Sequence, residues 1–165
     1  MTIEGLGNKL LVQVCLIVDD VEKYAKKYNE IFGLPIGEYH YTAGFSETEA
    51  TYNGSPTEAK AKIIAWHFGN VDLELLQPLG GPSVWQDFLD QNGPGVHHVA
   101  YRVNDTDAVA QSFVNHGFQI TQQGFFTGRF PNGGHEGVYT YLDTDKELNT
   151  TFELLENYDP NGEVR

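Results

Sequence analysis

Four polar side chains stand at matching places in two similar halves of this chain, and their types suit metal binding. The first half contributes Gln13 and Glu74, and the second half contributes His98 and Glu153. Two carboxylates, an amide oxygen and an imidazole form a mainly oxygen ligand set, which suits a five- or six-coordinate metal with open water positions. If the four groups converge, the sequence predicts that they hold one divalent metal ion.

The matching places come from an internal repeat. The segment "QVCLIVDDVEKYAKKY" (13–28) matches "HVAYRVNDTDAVAQSF" (98–113), so that Gln13 corresponds to His98. A second match, "DLELLQ" (72–77) with "TFELLE" (151–156), lies near the end of each half. Two matches in the same order indicate that one structural unit is duplicated.

Each unit is predicted to be a strand, an amphipathic helix and further strands. Asp20 and Asp105 can cap the starts of the two helices, because a short carboxylate accepts hydrogen bonds from the first free amides. Gly33 and Gly117 suit the helix ends. The stretch "GGPSVWQDFLDQNGPG" (80–95) separates the halves and suggests a connector with a short helix.

Strand alternation predicts which side chains meet. One face of the first strand carries Val14 and Leu16, which pack on the helix, and the other face carries Gln13 and Cys15. In the second half the same rule puts His98 on the face that carries the ligands and His97 on the opposite one, toward the helix layer or the junction of the two halves, where it is expected to form structural hydrogen bonds. The two carboxylates would repel each other in a cleft between the halves, and a divalent cation removes that repulsion.

Composition limits the possible partners. The chain has 165 residues and a net charge of −13, so a nucleic-acid surface is not expected. No apolar run approaches the roughly 18 residues that span a bilayer, and no secretion signal is evident, so no membrane association is expected. A single cysteine, Cys15, fits a reducing cytoplasm. Cys15 itself is expected to be a small packing residue.

The chain resembles the vicinal oxygen chelate superfamily, which includes glyoxalase I, bleomycin-resistance proteins and extradiol dioxygenases. The resemblance covers residues 10–157, and the stretch "LELLQPLGGPSVWQDFLDQNGPGVHHVAYRV" is most similar to the methylmalonyl-CoA epimerases. It implies an α+β fold of two tandem βαβββ modules that form a cupped mixed sheet around a metal. The expected organisation is one domain over 1–165, with modules at 10–80 and 96–157 and a connector at 81–95.

The resemblance also implies a reaction. The ligand positions of the superfamily fall on Gln13, Glu74, His98 and Glu153, with zinc, cobalt, nickel, manganese and magnesium all left open. A metal-stabilised enediolate would form when a proton leaves the carbon next to a carbonyl, so the implied enzyme is a metal-dependent isomerase or epimerase. Glu153 is the expected base, and Glu58 or Glu74 would act on the opposite face. A homodimer and a small-molecule substrate are expected as well.

Two alternatives remain open at this stage. Gln13 stands where epimerases usually have histidine, and the resulting ligand set is similar to that of eukaryotic glyoxalase I. However, the glutathione-binding residues of that enzyme have no evident match. A glyoxalase-like lyase acting on another small oxygenated molecule is therefore the second reading. A non-catalytic small-ligand-binding protein of the same fold is the third.

Substrate contacts are predicted from residues near the expected cleft. Arg102 lies on the same strand face as His98 and could meet a carboxylate or phosphate. Arg129 belongs to the glycine-rich segment "GFFTGRFPNGGHEG" (124–137), which reads as a loop over the mouth of the cleft. Tyr39 and Tyr41 share one face of an early strand and His40 lies on the other. Either set could line the cleft, and the two tyrosines are the expected substrate contacts.

Overall fold

The computed structural model describes residue 3 and residues 10–161, and its elements follow the predicted repeat. The first half contains β1 (Leu10–Ile17), α1 (Val21–Phe32), β2 (His40–Tyr41), α2 (Phe45–Thr48), β3 (Thr51–Tyr52), β4 (Ser55–Pro56), β5 (Ala61–His67) and β6 (Asp72–Pro78). The connector forms α3 (Val84–Asn92). The second half contains β7 (Gly95–Arg102), α4 (Thr106–Asn115), β8 (Ile120–Phe125), β9 (Gly137–Leu142), α5 (Asp145–Leu148) and β10 (Thr151–Asn157).

Most of the N-terminal stretch in which we find no secretion signal lies outside the described residues. Within the described part, none of the helices combines the length and apolar character needed to cross a membrane.

The strands form one mixed sheet that is symmetric about its centre. In the described chain the strand order is β2-β5-β6-β1-β7-β10-β9-β8-β3-β4. β1 and β7 pair antiparallel at the centre, while β6 and β10 pair parallel with β1 and β7 on either side. Each half thus contributes the same four-strand order outward from the seam. This curled mixed sheet with few helices confirms the predicted α+β fold class.

The first half differs from the second by an excursion between β2 and β5. Its hairpin, β3 and β4, leaves the first half and pairs with β8 at the far edge of the second, where Thr51 lies opposite Gln123. Each of these strands has two residues. A strand of that length has no alternating pattern from which the sequence could predict it. The excursion therefore joins the two halves a second time, away from the central seam.

Strand alternation sorts the core into two layers, as the sequence predicts. On the helix side, Val18 and Leu75 pack with Val21 of α1, and Leu154 packs with Phe113 of α4. On the opposite, concave side, one cluster sits between the seam and α3, and its buried members are Cys15, Ile17, Ala59, Ala61, Leu76, Trp85 and Tyr141. The polar residues that share this concave side therefore lie next to an apolar floor.

The predicted caps occur at both repeated helices. The Asp20 carboxylate accepts a hydrogen bond from the Lys23 amide at 3.0 Å, and the Asp105 carboxylate accepts one from the Ala108 amide at 2.9 Å. α1 ends at Gly33, whose φ of 69° is in the left-handed region that favours glycine. The duplicated unit thus includes its own start signals as well as its strands.

Replacing Asp20 with alanine should lower the free energy of unfolding by about 1 kcal/mol, because α1 loses the acceptor for a terminal amide. Urea denaturation followed by circular dichroism measures this change. Asp19→Ala is the matched control, since Asp19 is exposed and is not the capping residue, and it should change stability by less than about 0.5 kcal/mol. Equal effects of the two variants would contradict the capping role.

Candidate metal centre

The predicted ligands lie on the four central strands, in two adjacent rows that cross the sheet. In one row Glu74 of β6 is beside Cys15 of β1, which is beside His98 of β7. In the next row Gln13 of β1 and Glu153 of β10 flank the same residue of β7. Because both rows lie on the concave face, the structure places Gln13 and Glu153 next to His98, and Glu74 near His98 on its other side.

His98 is the centre of this group. Its Nε2 lies 3.3 Å from Nε2 of the Gln13 amide and 3.1 Å from Oε2 of Glu153. Half a turn of the amide group would bring its oxygen to this position, where it could bind a cation. A donor atom of Glu74, a ring nitrogen of His98 and Sγ of Cys15 all lie within 4.8 Å of one another.

Two β-bulges at the seam shape this arrangement. Cys15 pairs with His98 but Leu16 pairs with Val96, so His97 is an extra residue on β7. An equivalent shift makes Val12 the extra residue on β1, immediately before Gln13. Val12 and His97 correspond in the internal repeat, as Gln13 and His98 do. Both halves therefore carry a bulge just before the first predicted ligand, and bulges change the direction of nearby side chains.

The bulge corrects the prediction for His97. Strict alternation puts His97 and His98 on opposite faces, but both rings contact Tyr141 on the concave side, with ring centroids 5.9 and 5.1 Å away. Nδ1 of His97 lies 2.9 Å from Nδ1 of His98. Burial, and then the neighbouring His98, lower the pKa of His97 well below its usual range. His97 is therefore a neutral partner of His98, inserted between it and Phe88 of α3.

The buried donors fit a divalent cation. Oε2 of Glu153 is buried and has no hydrogen-bond partner among the described residues, although Nε2 of His98 is 3.1 Å away without the alignment of a hydrogen bond. A buried polar atom without a partner is costly. A cation held near His98, beside Glu153, would reduce that cost. These side chains are thus a chemically suitable set for a metal ion.

The environment of Glu74 also suits a cation site. Burial raises the pKa of Glu74 to about 7, with His98 acting to lower it and Glu153 acting to raise it. Glu74 nonetheless borders the cavity described next. A positive charge at this place would favour the ionised form of both carboxylates.

A cavity of about 300 Å³ opens above the candidate ligands. Gln13, Glu74 and Glu153 reach it from the floor. Its walls come from both halves and are mostly apolar or aromatic, and they include Thr42, Ala43, Trp85, Phe125, Phe126 and Tyr139. A mainly apolar cavity with a few converging polar groups is the usual form of a small-molecule site.

Arg102 is the predicted substrate contact that the structure brings to this cavity. It lines the wall beside Leu155, in the row after Glu153. Its Nε is buried without a hydrogen-bond partner, and Arg102 forms no ion pair with any residue among 10–161. A half-buried guanidinium in this situation can bind an anionic ligand.

Tyr39 and Tyr41 are not brought to the cavity, which corrects their predicted role. Both rings lie against the ammonium group of Lys62, which is 4.3 Å from the ring centroid of Tyr39. Lys62 also forms an ion pair with Glu22 of α1, so all of these groups lie on the helix side of the sheet. Alternation along β2 instead puts His40, between the two tyrosines, at the cavity wall.

Glu58 and Arg129 also lie outside the cavity. Glu58 is exposed, and its carboxylate accepts a hydrogen bond from the Phe45 amide at the start of α2. The Arg129 guanidinium donates to the backbone oxygens of Gly133 and Glu47, each at 3.0 Å. Arg129 thereby ties the glycine-rich segment to the first half. That segment still reaches the cavity through its earlier residues, Phe125 to Thr127.

Trp85, Tyr139 and Tyr141 form part of the site although they are not among the residues predicted from the sequence. Trp85 of α3 donates a hydrogen bond to the Tyr141 hydroxyl at 3.1 Å, beside the predicted ligands. Burial, and then the charge of Glu153, raise the pKa of Tyr141 well above its usual range, so its hydroxyl remains neutral. Tyr139 and Tyr141 alternate along β9, and this period of two is the signal that could have found them.

Comparison of the sequence with known proteins identifies one superfamily and several relatives. The model of the Glyoxalase/Bleomycin resistance/Dioxygenase superfamily matches residues 12–138. The chain is 29% identical to the uncharacterized protein YqjC of Bacillus subtilis over 106 residues, which are 64% of this chain and 70% of that protein. It is 30% identical to human mitochondrial methylmalonyl-CoA epimerase over 100 residues, 59% of this chain. The chain thus spans only about half (48%) of the human enzyme's length.

Solved structures share the fold. The methylmalonyl-CoA epimerase of Mycobacterium tuberculosis superimposes with a TM-score of 0.59 at 20% identity, covering 90% of this chain and 88% of that one. A hypothetical protein from Bacillus halodurans gives a TM-score of 0.60 at 18% identity, covering 90% and 94%. With its paired modules, its central seam and a family match over most of its length, the chain belongs to the glyoxalase/bleomycin resistance/dioxygenase superfamily.

Proposed function

We propose that the protein is a metal-dependent epimerase or isomerase that moves a proton on the carbon next to a carbonyl, with methylmalonyl-CoA or a similar acyl-CoA as substrate. The observation that carries this proposal is the buried carboxylate of Glu153. Its Oε2 has no hydrogen-bond partner among the described residues, and the residue borders the same cavity as Glu74. Relatives named as methylmalonyl-CoA epimerases support the reaction class.

The candidate metal centre supports the chemistry that this reaction needs. A divalent cation held among Gln13, Glu74, His98 and Glu153 would supply Lewis acidity toward a carbonyl oxygen, which makes the proton on the neighbouring carbon more acidic. The aromatic walls reduce the polarity of this region, and electrostatic interactions are stronger in less polar surroundings.

Proton transfer is assigned to the two carboxylates. Glu153 takes the proton from the carbon, and the electron pair of the broken C–H bond moves toward the carbonyl oxygen. Inversion requires a proton to return on the opposite face of that carbon. Glu74 comes from the other half of the chain and lies across the seam from Glu153, so it is the candidate for that second transfer.

Arg102 is assigned to the substrate anion. Its guanidinium borders the cavity and has no ion-pair partner in the described part of the chain. A carboxylate next to the reacting carbon, as in methylmalonyl-CoA, could accept two parallel hydrogen bonds from it. Such a contact would hold the carbon at a fixed distance from Glu153, and this orientation is itself a source of rate enhancement.

The first test is deuterium exchange at the carbon next to the thioester of methylmalonyl-CoA, followed by NMR in heavy water with the zinc- or cobalt-loaded protein. The expected result is exchange that falls about 10²- to 10⁴-fold in Glu153→Gln, since a positioned base contributes that much. Glu147→Gln, at an exposed position of α5, is the matched control and should retain full exchange.

The same experiment separates the alternatives. Absence of exchange in the wild-type protein would refute the epimerase proposal. Metal-dependent conversion of a small oxygenated aldehyde adduct would then favour a glyoxalase-like lyase. Tight binding of a ligand without turnover would favour a binding protein.

Arg102→Gln should raise KM for methylmalonyl-CoA by about 10- to 100-fold with little change in kcat, because a charged hydrogen bond made equally in ground and transition states is lost. Steady-state kinetics measure this split. Lys146→Gln, which removes an exposed positive charge from α5, should leave KM unchanged. An Arg102→Gln enzyme with wild-type KM would show that Arg102 does not bind the substrate.

His97 is proposed to orient His98. Two Nδ1 atoms 2.9 Å apart need one shared proton. If His98 donates it, Nε2 of His98 has a free electron pair for a metal. His97→Phe should therefore weaken zinc binding about 10- to 100-fold in a chelator competition. His97→Asn puts an acceptor oxygen near the place of Nδ1 and should restore most of the affinity. Equal affinity of the phenylalanine variant and the wild type would contradict this role.

A further inference from the structure

We propose that Cys15 is a metal ligand, and that Cys15, Glu74 and His98 hold the ion while Glu153 remains free to act as the base. This inference rests on the proposed metal-dependent function, and it changes the ligand set that the sequence predicts. It also names the chemical class of the metal, because a sulfur donor favours zinc or cobalt over magnesium or manganese.

The pairing of the strands places Cys15 among the other donor groups. Cys15 on β1 lies directly between Glu74 on β6 and His98 on β7. The sulfur of Cys15, a carboxylate oxygen of Glu74 and a ring nitrogen of His98 lie within 4.8 Å of one another. Donors at about 2.0 to 2.3 Å from one zinc ion are separated by at most about 4.4 Å. Small side-chain rotations are therefore enough to close the group around an ion.

The unpartnered oxygen of Glu153 is a second, independent observation. Oε2 of Glu153 is buried, has no hydrogen-bond partner among the described residues and lies 3.1 Å from Nε2 of His98. A buried carboxylate oxygen without a donor is stabilised by a nearby positive charge, and an ion bound by His98 would supply that charge. The three-residue group thus has an ion-binding environment beside it.

Charge balance is met by the three-residue set. A Cys15 thiolate and a Glu74 carboxylate neutralise a divalent ion, as Glu74 and Glu153 do in the predicted set, whereas Cys15, Glu74 and Glu153 together would leave a net negative charge in a buried site. Catalytic zinc sites commonly use three protein ligands and one open position. With this set, Glu153 does not have to leave the metal before it accepts a proton, whereas Glu74 would have to dissociate from the metal to make the second transfer assigned above.

The thiol must lose its proton when the metal binds. The thiolate, not the thiol, is the form of cysteine that binds a metal ion. On binding, the S–H bond breaks, the sulfur electron pair forms the bond to the metal, and the proton passes to water in the cavity that Glu74 borders. Metal binding should therefore release one proton from Cys15.

The internal repeat argues that the thiol is not required for packing. Cys15 corresponds to Ala100 in the second half, and both residues are fully buried at the seam. Because the methyl group of alanine suffices at the equivalent place, Cys15→Ala should fold. This makes a ligand role separable from a structural one.

The test is cobalt titration of the metal-free full-length protein, followed by absorption spectroscopy. The chain contains one cysteine, so a thiolate-to-cobalt charge-transfer band in the near ultraviolet must come from Cys15. We expect that band in the wild type and its loss in Cys15→Ala. We also expect Co²⁺ affinity to fall at least about 100-fold in that variant, since loss of an outer partner alone costs about 10- to 100-fold.

Glu153→Gln distinguishes the two ligand sets. It should keep the band and bind Co²⁺ within about threefold of the wild type, whereas a four-ligand site would lose about 100-fold. Urea denaturation of each metal-free variant checks that the fold is retained. Stoichiometric cobalt without the near-ultraviolet band would overturn the Cys15 assignment while leaving a metal site. No bound cobalt at all would overturn both this inference and the metal dependence proposed above.

Discussion

The antiparallel pairing of β1 with β7 is the interaction on which the rest of the structure depends. It joins the two halves edge to edge, so that the first strand of each unit becomes a central strand of one sheet. Central strands are buried on both faces, and here one face packs on helices and the other forms the cavity floor. The bulges at His97 and Val12 interrupt this pairing next to His98 and Gln13. The seam therefore determines both the fold and the direction of the candidate ligands.

Most of the fold follows from patterns that a single sequence contains. The repeat identifies Gln13 with His98, and alternation correctly separates Val18 and Leu75 on the helix side from Cys15 on the concave side. Such predictions succeed because they depend on local period and on burial. The convergence of the side chains of Glu74 and Glu153 was also predictable, since symmetric strands place symmetric residues about one axis.

The failures have a different physical origin. His97 was misplaced because a bulge is a defect of strand pairing and leaves no mark in the residue pattern. Tyr39 and Tyr41 are predicted as cleft residues in place of His40 because alternation defines two faces of the strand without indicating which face is concave. Glu58 is predicted to be a catalytic carboxylate, but in the structure it belongs to the excursion between β2 and β5. There its carboxylate accepts a hydrogen bond from the Phe45 amide. Each error concerns long-range geometry, which local periodicity does not encode.

The excursion between β2 and β5 joins the two halves at the cavity wall, which the symmetric sheet alone would not do. Its residues Thr42 and Ala43 form part of the cavity wall, and its hairpin is hydrogen-bonded to β8 of the other half. The Ala43 amide also donates to the Thr127 hydroxyl at 2.9 Å. The two halves are thus hydrogen-bonded to each other at the central seam below the cavity and again at the cavity wall. Both halves therefore build the wall around a bound ligand, and the hydrogen bonds between β3 and β8 and between Ala43 and Thr127 oppose their separation.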